Sequence, residues 1–190
     1  MILPINTYSD DVLHQKAKPL KGVDAETESL IESMFESMEN ASGIGLAAPQ
    51  IGRSIRLLVL DLSCMKSYED VPPMVVINPN ILSVRGKNLM EEGCLSVPGV
   101  QGDVSRPAEI TLKYRDRNFL EHTEEFSGML ARVLQHEIDH LNGTLFVDRM
   151  EKRDRRRIQN ELDDIARGAV PTDYPLAREC SRTGNGTACM

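Results

Sequence analysis

Long apolar runs are missing from this 190-residue chain, and that absence excludes a class of protein at once. No window approaches the ~20 continuous apolar residues that a membrane span needs. Met1-Ile2-Leu3-Pro4 runs straight into polar sequence, without the apolar core of a signal peptide. A cytosolic protein is expected. Cysteine is sparse: Cys64, Cys94, Cys180 and Cys189 are widely scattered with no C-x-x-C pair, which argues against a disulfide framework and a four-cysteine zinc site. A positive balance is missing too. The net charge of -7 argues against a general nucleic-acid binder. Phosphate-binding signatures are also absent. The glycine-bearing stretch 43–52 has neither the Gly-Lys-Ser/Thr ending of a P-loop nor the G-x-G-x-x-G of a dinucleotide fold. No internal repeat is visible.

What the chain does have is 41% apolar residues, enough over this length for one well-filled core and short for two. A single catalytic domain over residues 1–167 is expected, followed by a polar tail at 168–190 that carries Cys180 and Cys189 as exposed thiols. Residues 1–23 read as an irregular arm with an isolated, solvated His14. Asp24 is a good N-cap for a helix to about Asn40, with Leu30, Ile31, Met34, Phe35 and Met38 as its buried stripe. Strands are expected at 55–60, 74–77, 81–84, 110–114 and 121–126, the last two as a hairpin across Asp116-Arg117-Asn118. Asn78-Pro79-Asn80 reads as a break between strands, and Cys64 as a loop thiol. A final amphipathic helix over 150–167 is marked by Met150, Ile158, Leu162 and Ile165. Strands without β-α-β alternation, between helices, define an α+β fold of antiparallel strands around a central helix.

That central helix is the richest stretch. From Gly128, Met129, Leu130, Val133, Leu134, Ile138 and Leu141 recur at spacings of one, three and four, and Asn142-Gly143 is a good helix end. Within it lies His136-Glu137-Ile138-Asp139-His140. On a helix, the two imidazoles stand roughly 6 Å apart along the axis and can share one ion. Glu137 lies beside them, placed to take a proton from water whose pKa an ion lowers from ~15.7 to about 7. The ordinary alternative is a surface helix whose histidines are in register by chance.

A third ligand is needed. The metzincin extension begins with Gly143 but fails, since Phe146 stands where a third histidine belongs. A thermolysin-like zinc peptidase would use a glutamate about 20 residues on, and Glu161 fits that spacing. Cys94 is the other candidate. Glu91 and Glu92 beside it disfavour a free thiolate, an objection that a bound cation removes. Spacing leaves both open.

Three elements together carry a resemblance: Gly-Ile-Gly-Leu-Ala-Ala-Pro-Gln at 43–50, Glu-Gly-Cys-Leu-Ser at 92–96 and Gln-His-Glu-Ile-Asp-His at 135–140. In that order they closely resemble peptide deformylases. The resemblance implies Cys94, His136 and His140 as metal ligands, Glu137 as general base and proton shuttle, and the Leu95 N–H with the Gln50 amide as oxyanion donors. It implies a substrate pocket of Ile44, Met90, Met129 and Val133, with Ile44 and Gly45 bonding the peptide backbone. Arg132 departs from the apolar residue expected at the rim, and Val97-Pro98-Gly99-Val100 is similar to some branches of the family only. The implied activity is removal of the formyl group from formyl-Met nascent peptides. The implied ion is Fe²⁺, with Zn²⁺, Ni²⁺ or Co²⁺ as substitutes. Arg149, Lys152, Arg153, Arg155, Arg156 and Arg157 against Glu151 and Asp154 leave 149–157 at +4. A basic face there is either a solvated helix surface or, as the resemblance implies, a ribosome contact near the tunnel exit through 149–167.

Overall fold

A computed structural model describes residues 1–177. In order it holds α1 (Ala25–Asn40), β1 (Gly45–Ala47), β2 (Leu57–Leu60), β3 (Met74–Arg85), β4 (Asn88–Cys94), β5 (Val97–Arg106), β6 (Glu109–Arg115), β7 (Glu121–Ser127), α2 (Gly128–Leu141), α3 (Phe146–Arg149), α4 (Lys152–Arg157) and α5 (Gln159–Ala166). Five antiparallel strands form one sheet in the order β1-β2-β3-β6-β7, and β4 and β5 form a separate hairpin. The expected α+β class is the one observed. No helix among the described residues is long and apolar enough to cross a membrane.

Strand β2 shows why the sheet sits in the middle. All four of its residues are buried: Leu58 and Leu60 pack toward α2, with Leu134, Ile138 and Leu141, while Leu57 and Val59 pack toward α1, with Ile31, Met34 and Met38. Alternate side chains leave opposite faces of a strand, so a strand covered twice reads as a continuous apolar run. Helix α1 begins as expected, with the Asp24 carboxylate accepting from the Thr27 N–H at 2.8 Å. Its inner residues are Ile31, Met34 and Met38; Leu30 and Phe35 are partly exposed.

Four local expectations change. Asn78-Pro79-Asn80 does not separate two strands but forms an irregularity inside β3. Asn78 adopts a left-handed φ of 52° and its amide side chain exchanges hydrogen bonds with both backbone groups of Leu20, so a bulge takes the place of a turn. Residues 88–106 were not expected to pair, yet they form the β4-β5 hairpin, because Val97, Val100 and Val104 bury against Leu145, Phe146, Leu162 and Ile165. The last helix is interrupted at Ile158 (φ -95°, ψ 10°) into α4, which buries nothing, and α5, which buries Leu162 and Ile165. The N-terminal arm is tied down. It carries a 3-10 turn at Asp11–His14 that buries Leu13, and His14 stays exposed with its ring on the Tyr8 carbonyl.

Residues 170–177 return to the body of the molecule, where Leu176 is buried and bridges Ile5 in parallel. The exposed thiols expected at Cys180 and Cys189 lie outside the described residues, and Cys64 is exposed.

Candidate metal centre and active site

Helix α2 runs from Gly128 to Leu141, the limits that its apolar spacing predicts. Its C-terminus is fixed by Gly143, at φ 74°, where a Cβ would lie 2.8 Å from the backbone of His14. Glycine is required by that left-handed turn and by the close approach. The helix is mostly core, so its histidines stand inside the protein: their ring centroids are 5.1 Å apart, and His140 is 1% exposed. The ring of His136 stacks on Phe146, the residue that occupies the metzincin ligand position.

Cys94, at the end of β4, brings its thiol to this pair. Its Sγ is 3.2 Å from His140 Nε2, and the ligand atoms of Cys94, His136 and His140 all lie within 4.8 Å of one another. A thiolate and two imidazoles at that separation form a donor set suited to a divalent transition metal with an open fourth position. The residues therefore fit an ion. Glu161 is exposed on α5 and joins no such cluster among the described residues, so the thermolysin-like arrangement is not formed there.

Glu92 is the residue that sequence reasoning undervalued. Its Oε2 meets His136 Nδ1 at 2.9 Å, which leaves Nε2 of that ring as the nitrogen available to an ion. Arg106 bonds both carboxylate oxygens, at 2.6 and 2.9 Å, and Arg132 bonds Oε1 at 2.7 Å. Burial alone would raise the Glu92 pKa, but the hydrogen bonds from Arg106 and His136 outweigh it and hold this carboxyl well below its ordinary range. Arg106 also bonds Asp139, which in turn binds Arg149. The expectation that two carboxylates flank the thiol electrostatically is thus corrected: Glu92 is matched by buried guanidiniums and Glu91 is exposed. Arg132, where an apolar residue was expected at the rim, is buried, lines the cleft and also donates to the carbonyls of Asn88 and Val104. Alternation along β4 puts 92 and 94 on one side of the strand, which was the available signal for Glu92. Nothing local marked Arg106.

Glu137 lies against Gly45. A Cβ at Gly45 would sit 2.5 Å from Glu137 Oε1, so the bare backbone there makes room for the carboxylate. Burial pushes the Glu137 pKa up to about 7, and its Oε2 has no hydrogen-bond partner among the described residues. A carboxyl poised near neutrality with a free oxygen can accept and return a proton. Gln50 follows β1 on a short 3-10 turn, and its Oε1 accepts from the Ala47 N–H at 2.8 Å. That bond turns Nε2 toward Ser96 Oγ, at 3.2 Å, and Cys94 Sγ, at 3.6 Å.

Gln50, Glu92, Cys94, His136 and Glu137 line a cleft of about 660 Å³ together with Ile44, Gly45, Leu95, Met129, Val133 and Tyr174. Met90 is not part of that lining. It pairs with Val104 in the β4-β5 hairpin, and Glu91 and Glu92 lie between it and the cleft end of the strand. Tyr174, from the C-terminal segment, donates to the Leu95 carbonyl at 2.8 Å. Burial pushes its hydroxyl up to about 12, so it remains a donor at neutral pH.

An α+β fold with a Cys-His-His donor set and a buried glutamate beside it defines a metallohydrolase of the H-E-x-x-H kind. Comparison with known proteins narrows the class. The family model described as polypeptide deformylase matches residues 2–156. A curated peptide deformylase of Chlorobium luteolum is 89% identical over 190 residues, covering 100% of both chains. The crystal structure of a peptide deformylase from Legionella pneumophila superposes with a TM-score of 0.81 at 41% identity, covering 90% of this chain and 100% of that one. That of a Synechococcus elongatus peptide deformylase in complex with actinonin gives 0.79 at 41%, covering 92% of each. The chain belongs to the polypeptide deformylase family.

Proposed function

We propose that this enzyme removes the formyl group from an N-terminal formylmethionine, with Cys94, His136 and His140 holding the ion and Glu137 moving the protons. The observation that carries the reading is the convergence of those three donors, two of which, Cys94 and His136, line a cleft together with Gly45, Gln50 and Glu137. A divalent ion held there would acidify water and polarise the formyl carbonyl. Glu137 accepts a proton from the attacking water as its oxygen bonds the formyl carbon. Negative charge then builds on the former carbonyl oxygen, and the Gln50 amide and the Leu95 N–H donate to it. Losing one such donor typically costs on the order of 10² to 10³ in rate. As the carbon–nitrogen bond breaks, Glu137 returns the proton to the leaving amine, and formate and a free methionyl amine result. Ile44, Met129 and Val133 receive the methionine side chain, and the backbone of Ile44 and Gly45 pairs with the peptide as an added strand.

The ion is Fe²⁺ in the cell, in the cytoplasm where new chains emerge, with Zn²⁺, Ni²⁺ or Co²⁺ able to replace it. The donor set alone would favour zinc, because affinities rise from iron toward copper and zinc exceeds iron. Anaerobic metal analysis with oxygen-sensitive activity checks this; a fully active, oxygen-stable zinc enzyme overturns it. The exposed Lys152, Arg153, Arg156 and Arg157 of α4 form the ribosome contact. Arg155 is occupied with Tyr8 and Asp148, so charge reversal at 153, 156 and 157 is the test, and unchanged ribosome binding rejects the contact. The deciding assay for the whole reading is formate release from a formyl-Met peptide before and after chelation. Activity that survives complete metal removal sinks it.

A further inference from the structure

Tyr174 comes from a part of the chain beyond residues 2–156, the stretch that matches the family model. Its position is built rather than incidental. The Ile5 N–H donates to the Pro175 carbonyl at 2.9 Å, and the Ala177 N–H donates to the Ile5 carbonyl at 3.0 Å. These bonds dock residues 175–177 beside the N-terminal segment as a short parallel pair, sealed by the buried Leu176. Thr172 Oγ1 donates to the Tyr174 carbonyl at 2.6 Å, which shapes the approach. The ring of Tyr174 then lines the cleft, and its hydroxyl holds the Leu95 carbonyl.

The turn joining β4 to β5 is consequently gripped by both ends of the chain. On one side the Tyr8 N–H donates to the Ser96 carbonyl at 2.8 Å; on the other Tyr174 holds Leu95. This turn carries the thiol of Cys94 and the Leu95 N–H. The Leu95 carbonyl belongs to the peptide that follows the one carrying the Leu95 N–H, so Tyr174 restrains that donor from the far side of the Leu95 Cα; donors aimed at a developing oxyanion are effective because they need no reorganisation during the reaction. We propose that residues 170–177 act as a strap that completes the peptide cleft, with Tyr174 a positioning residue for Leu95 and a wall of the cleft. The inference rests on the deformylase reading and adds to it a part of the molecule beyond the residues that the family model matches.

Three variants test the strap. Tyr174→Phe keeps the wall and removes the donor: kcat for a formyl-Met tripeptide falls about fivefold to tenfold, in line with one lost hydrogen bond, while KM stays within twofold. Tyr174→Ala removes both, so KM rises as well. Leu176→Ala loosens the docking on Ile5 without touching the cleft, and lowers kcat in the same direction. Hydrogen–deuterium exchange supplies a readout independent of turnover. Amides of 94–97 exchange faster in Tyr174→Phe than in the parent protein, with the metal bound or removed. A Tyr174→Phe enzyme with parental kcat, or with parental protection of 94–97, overturns the proposal. Should Tyr174→Phe fail to fold, Leu176→Ala with parental kcat and parental protection of 94–97 overturns it equally. A parent protein that releases no formate defeats the deformylase reading and the strap with it; an active parent with an unaltered Tyr174→Phe defeats the strap alone.

Discussion

Gly45 and Glu137 touch so closely that a single methyl group on the glycine would lie 2.5 Å from the glutamate's Oε1 and 2.9 Å from Val133 Cγ1. Both atoms belong to side chains, and Oε1 is the flexible end of its own. Oε1 can swing aside, but Val133 Cγ1 belongs to a stiff β-branched core side chain, so Gly45→Ala is expected to displace the carboxylate and to lower stability as well. A misplacement of about 1 Å at a reacting group can cost on the order of 10² in rate. Steady-state kinetics at a temperature below the melt check it: kcat of the folded variant falls by about that factor, and a thermal melt shows a lower Tm. Parental kcat would mean that the carboxylate does not need its observed seat.

Glu92 orients His136, and residues in that role typically contribute 10- to 100-fold to metal affinity or activity. Glu92→Gln keeps the size of the side chain and loses the charge that Arg106 and Arg132 both bind. Weaker metal binding by about that factor is expected, together with a lower Tm, because two buried guanidiniums lose their counter-charge. Competition with a chelator of known affinity measures the first and a thermal melt the second.

Acid should expose the same group. The Glu92 pKa is lowered in the folded protein from its ordinary 4.5. The stability it contributes is therefore complete above about pH 4.5 and is lost as the pH falls from there toward the folded value. Between pH 5 and pH 3 the parent Tm should fall more steeply than that of Glu92→Gln, since the variant has no carboxylate to protonate at this position. Parallel curves would show that other carboxylates govern the acid transition.

Cys94→Ala and Glu137→Ala should each abolish formate release, and Glu161→Ala should leave it within a factor of about two. Only the first removes a ligand, so metal content separates the two inactive variants: Cys94→Ala binds the ion weakly and Glu137→Ala retains it. Loss of activity in Glu161→Ala would restore the thermolysin-like alternative.

Parts of this protein were legible residue by residue. Helix α2 could be bounded from its apolar spacing and from Gly143, and with that helix came the relation of His136, Glu137 and His140, because side chains within one helical turn have little freedom to lie elsewhere. The N-cap at Asp24 and the β6-β7 hairpin were equally local. The β4-β5 hairpin was not, since its alternation is broken by Pro98, Gly99 and Gly102 and its burial depends on α3 and α5, far along the chain. Cys94 and Glu161 could not be separated by spacing alone; the resemblance to deformylases favoured the thiol, and of these two it is Cys94 that clusters with the histidines among the described residues.

The sequence by itself determined the two imidazoles and the acid between them, since one turn of a buried helix fixes their separation whatever surrounds it. Only the tertiary structure decided what faces them. The thiol of Cys94, the Glu92-Arg106-Asp139 chain and the hydroxyl of Tyr174 come from positions separated by tens of residues, and a contact between such positions depends on how strands and helices pack. Local spacing carries no record of that packing.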